Sequence, residues 1–184
     1  MKTNPGRFFE DFRLGETIRH ATPRTVTVGD VALYTGLYGP RFAVQSSDAF
    51  ARAIGYPQAP VDDLLTFHVV FGKTVPDISL NAVANLGYAD VRFGVPVYAH
   101  DTLSAHTTVL GRRESGSGGT GVVWVRTVGR NQRGEEVLSF IRWVLVNRRE
   151  PEVATGVDDA PKTPESVAAA DLFVPGQLDL RAFN

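Results

Sequence analysis

Five side chains able to bind or polarise a substrate crowd into the segment YGPRFAVQSSDAF (38–50): Arg41, Gln45, Ser46, Ser47 and Asp48. The Arg41 guanidinium suits a carboxylate or a phosphate, because its planar donors meet two oxygens at once. The Gln45 amide donates and accepts but does not titrate, and Pro40 has no N–H to offer. Asp48 abuts a helix start, where a carboxylate favours the positive end of the backbone dipole. Ser46 or Ser47 is expected to cap that helix. Arg41 and Gln45 remain open between ligand contact and plain surface. Further on, Asp62 and Asp63 suggest acid–base work by paired carboxylates, but adjacent helical residues do not share a face, so first-turn capping is expected. His68 lies among apolar residues and is expected to be a hydrogen-bonded core histidine. His20, His100 and His106 have no spacing typical of metal ligands, and no metal is expected.

The elements that must hold these residues follow from the pattern. A β-branched run, TVTV (25–28), predicts a strand. Thr27 and Asp30 then have the spacing of a reciprocal helix cap, with Val31, Leu33, Tyr34, Leu37 and Tyr38 as an inward apolar face and Gly39–Pro40 as the stop. SSDAFARAIGYP predicts a second short helix with Phe50, Ala51 and Ile54 inward. In DDLLTFHVVFGK, Leu64, Leu65, Phe67, Val69, Val70 and Phe71 leave almost no polar stripe, so this helix must be covered on every side. Beyond residue 82, VANLGYADVRF, DTLSAHTTVLGRR, GTGVVWVRTVGR and EVLSFIRWVLVNRR predict four long strands. In the last, Phe140, Arg142, Val144 and Val146 face one way and Ile141, Trp143 and Leu145 the other. Residues 150–184 hold four prolines and little periodicity. They read as a linker or wrapping arm, with a short helix near 164–171.

The chain of 184 residues contains 19 Lys+Arg against 20 Asp+Glu, a formal charge of -1, which offers no footprint for nucleic acid or an anionic membrane. With no cysteine, disulfides, thiolate metal sites and a Cys nucleophile are excluded. No stretch has the length and apolarity of a membrane span, and a cytoplasmic location is expected.

A long antiparallel sheet curled around an apolar helix is an α+β arrangement, the hot-dog fold, here expected over 1–149. RFGVPVYAHDTLSAHTTVLGRR, VRTVGRNQRGEEVLSF and FFEDFRLGETI resemble the MaoC-like enoyl-CoA hydratase family, through Arg92, Phe93, Pro96, Val97, Asp101, Thr102, Leu103, Asn131, Gln132 and Gly134. Longer stretches, among them DDLLTFHVVFGKTVPDISLNAVANLGYA, resemble the amino-terminal half of a two-unit member of that family. The resemblance implies reversible addition of water to a branched dicarboxylic enoyl-CoA, with CoA as part of the substrate and no separate cofactor.

The family loop reads Gly-Asp-x-Asn-Pro-x-His, its Asp and His holding the water. Here Gly39 matches the Gly, while Pro40 replaces the Asp, Phe42 the Asn and Gln45 the His. No acid–base dyad is therefore expected in this chain. The thioester site at the start of the central helix falls by resemblance on Asp63 and Leu64, and an Asp there would repel an enolate. Substrate contacts are expected from Arg41, Gln45, Asp63 and Leu64. A catalytic second hot-dog unit or a homodimer is the expected partner. The other readings are a non-catalytic acyl-CoA-binding protein and a thioesterase relying on Asp63.

Overall fold

The computed structural model describes residues 4–39, 42–116, 118–153 and 156–183. Two short strands, β1 (Thr17–Arg19) and β2 (Arg24–Thr25), precede four helices: α1 (Val28–Tyr38), α2 (Ala43–Ser46), α3 (Asp48–Ala53) and α4 (Asp63–Thr74). The long strands follow as β3 (Ala82–Phe93), β4 (Thr102–Glu114), β5 (Thr120–Arg130) and β6 (Glu136–Asn147). The sheet is antiparallel in the order β1-β4-β5-β6-β3, with β2 also on β4. It wraps α4, which is the hot-dog arrangement the sequence predicts. Among the described residues no helix is long and apolar enough to cross a membrane.

The caps form as the sequence directs. Thr27 Oγ1 accepts the Asp30 N–H while the Asp30 carboxylate accepts that of Thr27, so two orphan donors at the start of α1 are satisfied reciprocally. This cap ends the expected TVTV strand early: only Arg24 and Thr25 pair with β4, and Val28 is already helical. Ser47 caps α3, whereas the Ser46 hydroxyl turns back to the Phe42 carbonyl. Ala51 and Ile54 are buried as expected, and Phe50 only half so.

Two expectations of burial fail for one reason. No residue of α1 is buried; Leu33, Leu37 and Tyr38 are all about two-thirds exposed. On α4, Leu64 and His68 are exposed while Leu65, Thr66, Val69 and Val70 are buried. The sheet covers one side of α4 only. An apolar pattern predicts a covered surface, but among the described residues nothing covers this one.

Inside, the core is divided. One cluster joins Leu65, Val69 and Val70 of α4 to Leu103, Leu138 and Phe140; the other joins Phe9, Phe12, Ile18 and Ile78 to Val109, Val123 and Val144. Between them runs a polar row of His20, Thr107, Thr127, Thr74 and Arg142, all buried. His20 Nδ1 lies 2.7 Å from Asp77 Oδ2 and Nε2 lies 2.7 Å from Thr107 Oγ1, which is 2.9 Å from Thr127 Oγ1. Donation of Nδ1–H to the Asp77 carboxylate leaves Thr107 to donate to Nε2 and Thr127 to donate to Thr107.

Burial pushes the His20 pKa below its ordinary value against the pull of Asp77. The unfolded chain accepts a proton near pH ~6.5 that the folded chain resists. The resulting stability is full above that pH and falls as the pH drops through it toward the lower folded pKa. His20→Gln is expected to flatten the decline of Tm between about pH 6.5 and 5, followed by thermal denaturation at several pH values. An unchanged slope would assign the acid sensitivity to carboxylates instead.

After β6 the chain turns back over the molecule. The Glu114 N–H donates to the Val157 carbonyl and that of Asp159 to the Arg112 carbonyl. Farther on, Asp171 pairs with Arg92 at 3.4 Å, and the Asp179 N–H donates to the Ile54 carbonyl at 2.9 Å. The short helix expected near 164–171 is only a 3-10 turn, Ala169–Asp171.

Candidate functional site

α2 and the start of α4 bring two of the sequence-predicted residues together. Gln45 and Asp63 line one cavity of about 150 Å³, with Tyr56, Phe93, Phe173 and Pro175 among its other walls. Gln45 Oε1 is buried with no hydrogen-bond partner among the described residues. Asp63 is exposed as a residue. Burial of its carboxyl, then the charge of neighbouring Asp62, raises its pKa. Because solvent still reaches it, this environment weakens the acid without sealing it as a neutral one.

The two aspartates have separate roles. Asp62 is the helix cap: its Oδ1 accepts the Leu64 N–H at 2.8 Å. The backbone donor that the resemblance assigns to a thioester oxygen is thus already occupied. The Leu64 side chain is 55% exposed and is not among the cavity walls. Pro40 and Arg41, also singled out in the loop, lie outside the described residues.

His68, expected in the core, is exposed on the opposite course of α4. Its ring stands 6.1 Å from that of Tyr34, and it lines a different cavity with Arg24, Lys73 and Asp77. The helical period explains the misreading: position 68 falls on the side of α4 that the sheet does not cover. Sequence reasoning missed the His20–Asp77 contact, since 57 residues separate its members and no local pattern announces it. It did set Arg142 on one face with Phe140, Val144 and Val146, but drew nothing from a charge at that position.

The aromatic residues form a second grouping. Phe67 and Phe71 of α4 stack at 5.8 Å, and both meet Tyr88 of β3; Phe67 also meets Phe140 at 5.1 Å. This strip links α4 to β3, the outermost strand on that side of the sheet.

Comparison with known proteins places this geometry. A family model for mesaconyl-CoA hydratase matches residues 2–178. Mesaconyl-CoA hydratase of Cereibacter sphaeroides is 58% identical over 184 residues, covering 100% of this chain and 54% of the relative. The crystal structure of a MaoC domain protein from Chloroflexus aurantiacus J-10-fl is similar with a TM-score of 0.92 and 60% identity, over 95% of this chain and 50% of that one. A Mycobacterium tuberculosis protein with a double hotdog fold shares the fold at 23% identity and a TM-score of 0.80, over 95% of this chain and 55% of its own. The chain spans about half the length of the curated relatives it matches. It belongs to the mesaconyl-CoA hydratase family.

Proposed function

We propose that this chain is the amino-terminal half of a two-unit enoyl-CoA hydratase, which walls the acyl channel while a second hot-dog unit supplies the acid and base. The observation that carries this reading is the Gln45–Asp63 cavity. It offers one carboxyl and one carboxamide, with no histidine among its walls. Hydration needs one group to take a proton from water and another to orient the water or return the proton. Asp63 alone meets half of that need. The occupied Leu64 N–H further weakens the case for a thioester at this helix start. The uncovered face of α1, the exposed side of α4 and the outer edge of β3 supply the surface on which a second unit docks. In its absence a second copy of this chain takes that place.

The test is hydration of mesaconyl-CoA, followed by loss of the enoyl thioester absorbance, with this chain alone and after adding the second unit. The chain alone is expected to stay below about 1% of the recombined rate, in keeping with the ~10²–10⁴-fold contribution of general acid–base groups. Asp63→Asn is expected to change the recombined rate less than about twofold, because the acid–base pair lies elsewhere. Full activity of the chain by itself would overturn the division of labour. Release of free CoA, lost in Asp63→Asn, would support a thioesterase, the second reading that a carboxyl on the central helix favours.

A further inference from the structure

Among the described residues Arg142 is the largest fully buried side chain, at 0% exposure, and it has no carboxylate partner. Its neighbours are neutral. Nη2 donates to Thr74 Oγ1 at 2.8 Å and Nη1 reaches Asn85 Oδ1 at 3.3 Å, a long contact for a charged donor. Nε finds no acceptor. The Phe71 ring lies 4.6 Å from the guanidinium carbon. Burial lowers the pKa to about 10, so the group is still a cation at neutral pH. The carbonyl end of α4 at Thr74 offers at most about half a negative charge against a whole positive one. A buried cation is ordinarily paired, and this one is not.

The surroundings give the missing anion a way in. Asn85 and Phe71, which both touch Arg142, are also walls of a cavity of about 270 Å³ beside β3, completed by Val75, Ser79 and Ala84. Its helical side is the π-turn Val75–Ser79, a wide irregular form of backbone that recurs at functional sites. The aromatic strip of Phe67, Phe71 and Tyr88 borders the same gap. The guanidinium is not itself a wall of this cavity; it stands behind Asn85 and Phe71, so a carboxylate at the far end of a short acyl group in the trough reaches it by displacing the Asn85 amide.

We propose that Arg142 receives the free carboxylate of a dicarboxylic acyl thioester, with Asn85 as the polar group that yields to it. This assignment rests on the acyl-CoA reading above. It makes this half the one that distinguishes a dicarboxylic acyl group from its neutral analogue.

The test compares binding of mesaconyl-CoA with that of tiglyl-CoA, in which a methyl group replaces the free carboxylate, by calorimetric titration of the full chain with and without the second unit. The wild type is expected to prefer mesaconyl-CoA at least ~10-fold, as a charge-assisted pair allows. Arg142→Met is expected to abolish the preference while leaving tiglyl-CoA binding unchanged, and Arg142→Lys to restore part of it. If Arg142→Met does not fold, Asn85→Asp serves: it places a carboxylate against the guanidinium and is expected to remove the preference by occupying the site. Equal binding of both thioesters by the wild type, or an undiminished preference in the variants, would overturn the assignment alone. Failure of either thioester to bind would overturn the acyl-CoA reading with it. If Arg142→Met weakens only docking of the second unit, the counter-charge is a side chain of that unit and the assignment is wrong.

Discussion

Phe140→Ala is expected to lower the unfolding free energy by about 3–5 kcal/mol, the usual loss for a fully buried phenylalanine. Phe140 is at 0% exposure, 5.1 Å from the Phe67 ring and 6.1 Å from that of Tyr88. It joins the sheet to both the central helix and the outer strand. Its removal opens a cavity that Phe67 can fill only by leaving its stack with Phe71. Domains of this size hold only ~5–15 kcal/mol in total, so the variant is expected to lose a large share of its stability. Urea denaturation followed by far-ultraviolet circular dichroism reads the loss. A change below about 1 kcal/mol would mean that the ring is not the keystone of this cluster.

The second large effect concerns association. β3 ends the sheet, and Val83 and Leu86 on it are 59% and 47% exposed. A strand of 12 residues with an unpaired side is a template for another strand. The double substitution Val83→Lys and Leu86→Lys is expected to weaken self-association of the chain by at least ~100-fold, since each strands a charge in a closing interface. Sedimentation equilibrium measures it, with Val153→Lys, at an exposed position on the arm, as the control. Undisturbed association would shift the contact from the strand edge to the bare face of α1.

The four long strands and the capped helices were legible because each is written locally: alternation of side chains for β6, a Thr and an Asp three apart for α1. The partition of β6 into one face with Phe140, Arg142, Val144 and Val146 and another with Ile141, Trp143 and Leu145 follows from period two alone. What the sequence left unread depends on absent neighbours or distant partners. The apolar residues of α1 and the outward side of α4 were assigned to a core, because apolarity marks contact without saying whose. His68 was misplaced by the same logic. At the candidate site, Gln45 on α2 and Asp63 at the start of α4 line one cavity, and its other walls include Phe173 and Pro175, some 110 residues beyond Asp63. No local pattern reaches that far.

The path of the arm has a mechanical consequence. At position 111 any side chain would overlap the carbonyl of Asp159, and at Gly55 a Cβ would stand 2.7 Å from the carbonyl of Gln177. Two glycines therefore admit the returning chain, one on β4 and one at the end of α3. The arm is held at both places, so its course is fixed far beyond the close of β6 instead of running loose from it.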